Sequence, residues 1–120
     1  LDEALRLSDR GLMLAEAAYG KDHPLLAAVL YGRGEILASA RRPAEAIAAL
    51  ERAIATVPPE DRSPRVAKLR FLLARVRWDA RDDRPGARAL VERAAADLEN
   101  YRTCAREQEQ LRAWLAAHPR

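Results

Sequence analysis

The stretch from Gly34 to Pro58, GEILASARRPAEAIAALERAIATVP, constrains this chain most, because it holds two helical patterns separated by a short basic turn. In its second half Ala46, Leu50, Ala53 and Ile54 recur at i, i+4, i+7 and i+8, which sets one small, apolar stripe along a helix. Glu45, Glu51 and Arg52 fall on other faces. In its first half Gly34 stands within a helix, where glycine costs about 1 kcal/mol relative to alanine. Its use there is to let a neighbouring helix approach the backbone closely. Arg41-Arg42 form the turn, and Pro43 opens the second helix at a position where its missing N–H costs nothing. The stretch therefore predicts two helices folded back on one another through small residues.

Composition narrows the function classes. The 120 residues are one domain's worth. Only 5% of the chain is aromatic while 49% is hydrophobic, so the core has to be built by close helix approach and not by bulky filling. The net charge of +3 is spread, with arginines alternating with acids as in Arg6, Asp9, Arg10 and in Glu92, Arg93, Asp97. No basic patch is blocked out, and nucleic acid is not an expected partner. Cys104 is the single cysteine, which excludes an internal disulfide and makes the cytoplasm the default setting. The sequence has no apolar run of about 18 residues to span a membrane and no signal peptide, so no membrane association is expected. It begins at Leu1, without Met and within a helical pattern, and reads as a fragment.

Taken in order, residues 1–20 carry Leu1, Ala4, Leu5, Leu12 and Ala15 at helical spacing, closed by Gly20. Lys21-Asp22-His23-Pro24 is a turn, in which His23 has a capping role and Pro24 suits the first turn of the next helix. After the central hairpin, Pro58 to Pro64 is a breaker cluster, with Ser63 as a candidate N-cap and Pro64 as the first helical residue. Leu69, Leu72, Leu73 and Val76 then form an apolar stripe, and the helix from Pro85 to about Tyr101 repeats the small-residue pattern through Ala87, Val91 and Ala94. The intervening turn Arg81-Asp82-Asp83-Arg84 is one residue longer than its counterpart, which leaves either Leu73 or Ala74 at the small site. A last helix spans 103–117, with Thr103 as N-cap, Leu111, Trp114 and Leu115 on one face, and His118-Pro119-Arg120 frayed beyond it. Cys104 and Trp114 read as packing residues.

The central hairpin resembles a tetratricopeptide repeat. That family's small, large, Ala, large, Ala, Pro pattern falls on Gly34, Leu37, Ala46, Leu50, Ala53 and Pro58. Arg33 departs from it, standing where Leu is usual, and a partly solvated corner is expected there. Asp2-Glu3-Ala4 matches Ala44-Glu45-Ala46, so the first helix is the second half of an earlier repeat, with Ser8 and Gly11 in place of a large residue and Ala. Matched alanines lie 42 residues apart from Ala4 to Ala46 and 41 from Ala46 to Ala87, beyond the family's usual period of about 34. That spacing is similar to the longer repeats of kinesin light chains. The resemblance implies an all-α solenoid of antiparallel helix pairs over residues 1–120, about six helices in all. Its parts are a half repeat over 1–20, full repeats over 24–57 and 64–101, and a capping helix over 103–117. Wording such as RPAEAIAALERAI and FLLARVRWDARDD also resembles the carboxy-terminal repeat tail of bacterial, particularly myxobacterial, serine/threonine protein kinases.

What the resemblance implies for function is a scaffold that binds a partner peptide or helix in a groove lined by the first helix of each repeat, within a bacterial signalling protein. The groove positions would be Ala28, Tyr31, Glu35, Ala38 and Ser39 in the central repeat and, to within one position of register, Lys68, Phe71, Arg75, Trp78 and Asp79 in the next. Chaperone-binding members hold a terminal carboxylate with Lys and Asn at groove positions taken here by Tyr31 and Glu35, so that clamp is not expected. The alternative is a regulatory tail for a kinase domain lying upstream. The chain itself has no kinase motif, no convergent Ser/His/Asp set, no paired catalytic carboxylates and no metal-ligand spacing; no catalysis and no cofactor are expected of it. The unpaired flank of the helix from Leu1 to Tyr19, with Ala4, Leu5 and Leu12, is expected to promote self-association.

Overall fold

The computed structural model describes residues 2–119. Six α-helices follow one another: α1 (Asp2–Tyr19), α2 (Leu26–Ser39), α3 (Pro43–Ala55), α4 (Pro64–Asp79), α5 (Arg84–Leu98) and α6 (Ala105–Ala117). A 3-10 turn, Arg102–Cys104, lies between α5 and α6, and among the described residues there is no strand. The fold is an all-α helical repeat of antiparallel helix pairs. By contact the chain divides into two compact units, Leu1–Pro59 and Glu60–Arg120.

In the first unit α2 packs on both α1 and α3. The α2–α3 hairpin closes on Leu26, Leu30 and Leu37 from one helix and Ala46, Leu50 and Ala53 from the other, each 1% exposed or less. Gly34 is where α2 takes the Leu50 side chain of α3 against its backbone. A Cβ built there would lie 2.6 Å from Cδ2 and 2.7 Å from Cγ of Leu50, so the space an alanine would use is already filled. The turn between the helices puts Arg41 at φ +60°. The Arg41 and Arg42 N–H groups donate to the carbonyls of Ala38 and Leu37, which satisfies two of the acceptors that a helix end leaves open.

α1 contributes no buried residue. Ala4, Leu5, Ser8, Gly11, Leu12 and Ala15 are half-buried along one stripe, while Leu7, Met13 and Leu14 are exposed. Two polar side chains complete its seat. Arg33 of α2 donates to Asp9 and, at 3.3 Å, to the Ser8 hydroxyl, and Arg52 of α3 pairs with Glu16 at 2.7 Å. Gly20 closes α1 at φ +88°, its N–H donating to the Glu16 carbonyl at 2.8 Å. α2 starts at Leu26, two residues later than Pro24 suggested. Pro24 sits in the preceding turn, and the His23 ring nitrogen Nδ1 accepts from the Leu25 N–H at 3.1 Å, the capping role expected of it.

The second unit repeats the hairpin. Ala67 and Ala74 of α4 meet Ala87, Val91 and Ala94 of α5, and Leu98, Cys104 and Leu111 extend this core toward α6. The register question is decided by the turn. Arg81 takes φ +57°, and the N–H groups of Arg81 and Asp82 donate to the carbonyls of Trp78 and Arg77, so this helix end repeats that at Arg41 residue for residue. Ala74 therefore stands where Gly34 does. The extra residue is Asp83, also at positive φ, whose carboxylate accepts from the Gly86 N–H at 3.0 Å and caps α5. Leu69, Leu72, Leu73 and Val76 are all buried.

One pair in this unit runs against hydrophobic patterning. Arg70 and Asp97, 3% and 6% exposed, form an ion pair at 3.0 Å between α4 and α5. Burial pushes the Arg70 guanidinium below its ordinary value, and Asp97 opposes that shift. Three local expectations are corrected. Ser63 occupies the N-cap of α4, but its hydroxyl does not cap; its N–H instead donates to the Asp61 carboxylate at 2.9 Å and holds that group below its ordinary value. α6 begins at Ala105 with Cys104 before it, and Thr103 lies inside the 3-10 turn. His118 is not frayed: its Nδ1 lies 2.7 Å from the Trp114 carbonyl, and its own carbonyl accepts from Arg88 at 2.6 Å.

Candidate partner-binding faces

A helix end fixed in the same way on α2 and α4 makes every position of one correspond to a position of the other. Ala28, Tyr31, Glu35, Ala38 and Ser39 thus share a face of α2, and Lys68, Phe71, Arg75, Trp78 and Asp79 share the matching face of α4. On α2, Ala28, Glu35 and Ser39 are exposed, and Tyr31 and Ala38 are half-buried. On α4, Lys68, Arg75 and Asp79 are exposed, and Phe71 and Trp78 are half-buried. The pattern of exposure is the same on both helices.

The two faces differ in what covers them. On α4 the aromatic positions are occupied by α6. Trp114 meets Phe71 edge-on at 6.3 Å between ring centroids and Trp78 at 5.4 Å, and His118 stacks on Trp114 at 4.1 Å. Trp114 is the packing residue the sequence suggested. His118 follows Trp114 by four residues, which brings the two rings together; their contact with Trp78 is a long-range one. The Arg75 guanidinium lies over Phe71 at 4.6 Å and that of Arg84 over Trp78 at 4.8 Å. Arg88 donates to the Leu115 carbonyl at 2.9 Å as well as to that of His118, satisfying the carboxy-terminal end of α6. Nothing in the sequence marked Arg88 for this. Beside it a cleft of about 520 Å³ is lined by Trp78, Arg84, Pro85, Arg88 and Pro119 among others.

Lys68 and Arg75 have no carboxylate within ion-pairing distance among the described residues, whereas Arg33, Arg52 and Arg70 all do. Those residues include no cluster of His, Cys, Asp or Glu able to hold a metal ion, and no helix long and apolar enough to cross a membrane. At the other end of the chain the structure changes which residues form the open flank of α1. Leu5 and Leu12 are half-buried, and Leu7, Met13 and Leu14 are the ones left at 61%, 67% and 62% exposure. Leu1 lies outside the described residues.

Residues 1–58 match the model of the tetratricopeptide repeat. The matched segment ends one residue short of the boundary between the two units and takes in α1, α2 and α3. It supports a tetratricopeptide repeat on the residues that carried the resemblance. Neither the curated proteins nor the solved structures offer a match to the chain.

Proposed function

We propose that this chain is a protein-interaction module that binds a partner peptide or helix through the groove positions of its repeats, with the matched faces of α2 and of α4 as the candidate surfaces, each within its own unit. Tetratricopeptide repeats generally mediate protein–protein interaction, and folds of this kind are typically not catalytic. The observation that carries the reading is the recurrence of one exposure pattern at corresponding positions of α2 and α4, with Ala28, Glu35 and Ser39 matched by Lys68, Arg75 and Asp79. Affinity capture with the chain tests it. Tyr31→Ala and Arg75→Glu should abolish capture; exposed Arg75 should move stability by less than about 0.5 kcal/mol, and circular dichroism checks that half-buried Tyr31→Ala keeps its helix content. Ala48→Glu, on the exposed side of α3, should leave capture intact. Loss in that variant alone would move the interface to α3.

The likeness to bacterial kinase tails supports a finer proposal: the module is a regulatory element of a cytoplasmic serine/threonine kinase. The coding sequence upstream of Leu1 tests it, and an upstream region without a kinase domain overturns it. Self-association through α1 is a separate proposal, carried by exposed Leu7, Met13 and Leu14. Sedimentation of the chain beside a Leu7→Glu, Leu14→Glu variant tests that one, and a parent chain that stays monomeric at every concentration overturns it.

A further inference from the structure

We infer that the cleft between the first turns of α5 and the end of α6 binds a small aromatic monocarboxylate, its ring against Pro85, Ala89 and Pro119 and its carboxylate on Arg84. The cleft lies within the second unit, and neither the site nor its guest depends on the interaction reading above. At about 520 Å³ it falls within the range of small-molecule sites, about 300–1,000 Å³. Mostly apolar walls with a few polar groups among them are the make-up of such a site.

The cleft is built from spacing on α5 and from a tie to α6. Pro85 and Ala89 are four residues apart and share one side of the helix, and the small Ala89 leaves depth between them. Pro119 forms part of the same lining because Arg88 holds the end of α6, its Nη1 donating to the carbonyls of Leu115 and His118. The Nε–H of Arg88 is buried with no acceptor. A buried donor without a partner calls for one, and a guest carrying oxygen atoms supplies it.

Arg84 differs from the other exposed cations of the chain in how it is held. Its guanidinium lies over the Trp78 ring at 4.8 Å while its Nε donates to the Trp78 carbonyl at 3.2 Å. The two constraints fix the plane of the fork and leave its Nη groups to meet a carboxylate side by side. Because the fork is ordered before an anion arrives, little side-chain freedom is lost on binding. Asp83, the acid next to it in sequence, is already spent on the Gly86 N–H.

Glu92 sets the charge of the guest. It is the acid of the lining and stands eight residues beyond Arg84, roughly 12 Å along α5 at 1.5 Å per residue. A second carboxylate at the far end of the guest would face it, so one charge is preferred over two.

The test is isothermal titration calorimetry of the whole 120-residue chain with naphthoate, its neutral analogue naphthylmethanol and naphthalenedicarboxylate. Naphthoate should bind at least about tenfold more tightly than the alcohol, and more tightly than the dicarboxylate. Arg84→Gln should remove the preference for the acid over the alcohol, and Arg84→Lys, which keeps the charge without the planar fork, should retain part of it. Ala89→Phe, which fills the cleft from an exposed position, should weaken both guests, and Ala89→Leu should weaken them less; circular dichroism checks that the helices persist. Arg112→Gln, exposed on α6 and outside the lining, should change nothing. Equal binding of naphthoate and the alcohol overturns the inference, as does dicarboxylate binding as tight as that of naphthoate. Absence of binding at millimolar naphthoate, or an affinity unchanged by both Arg84→Gln and Ala89→Phe, overturns it as well.

Discussion

Replacing Gly34 by alanine sets two effects of similar size against one another, and the structure says which one wins. Alanine is about 1 kcal/mol better than glycine within a helix, so a substitution at an open site would stabilise. At Gly34 the new methyl group would sit 2.7 Å from Leu50 Cγ, an atom close to the α3 backbone and not a free end, and 2.6 Å from Cδ2. Overpacking of this kind costs about 1–3 kcal/mol. Gly34→Ala should therefore be destabilising by roughly 0–2 kcal/mol once the propensity gain is subtracted. Leu50, fully buried, should cost about 2–5 kcal/mol when truncated to alanine. In the Leu50→Ala background the obstruction is gone, and Gly34→Ala should be stabilising by about 1 kcal/mol. The sign of the glycine substitution thus reverses between backgrounds, a coupling of about 1–3 kcal/mol in a double-mutant cycle. Urea unfolding of the four proteins, followed by far-ultraviolet circular dichroism, measures it. Gly34→Ala effects that are equal in the two backgrounds would refute the close approach of α2 to Leu50.

Ala46→Leu, at a fully buried crossing, should cost about 1–3 kcal/mol, and the exposed Ala44→Leu much less; equal melting temperatures would count against the hairpin core. Asp97→Ala leaves Arg70 buried and unpaired and should cost about 3–5 kcal/mol, whereas replacing both by apolar residues of similar volume should be near neutral in the same unfolding assay. Asp61 is held below its ordinary value of 3.8 in the folded chain, chiefly by the Ser63 N–H, so its contribution is present in full above that value and is lost as pH falls through the lower folded one. Asp61→Asn should flatten the acid limb of a stability–pH curve and leave its slope near neutrality unchanged.

The hairpins were legible because helix pairing through small residues writes itself as spacing. Gly34, Ala46, Leu50 and Ala53 announce both the helices and the face on which they meet. What was not legible depended on groups distant in sequence. Ser63 and Thr103 are sound N-cap residues by type, yet the Ser63 hydroxyl makes no cap bond and a 3-10 turn absorbs Thr103. His118 looked terminal and loose because Arg88, thirty residues earlier, is what holds its carbonyl. On α1 the apolar pattern was read as one stripe seeking cover. It has two sides: Leu5 and Leu12 are half-buried on one, and Leu7 and Leu14 are exposed on the other.

The departures from the repeat pattern make sense when taken in pairs. Arg33 stands where an apolar residue is usual, and Ser8 stands on α1 where a large one is usual; the two meet, with Asp9 completing the contact. In the second unit Arg70 occupies the position that Leu30 holds in the first, and Asp97 faces it from α5. A buried charge alone would be costly, and a partner across the hairpin removes most of that cost. A polar substitution at a core position of this repeat is therefore tolerated where the opposing helix supplies its complement. This also separates what sets the geometry from what sets the residue types. The family match covers residues 1–58, yet α4 and α5 repeat the hairpin through features that leave many side chains free to change. Those features are a small residue at Gly34 or Ala74, and a turn whose left-handed residue is Arg41 or Arg81. Because that turn fixes the register, the exposed positions of α4 correspond to those of α2 even where the chemistry has changed from Ala28 and Glu35 to Lys68 and Arg75. The scaffold keeps the positions while the residue types placed on them change.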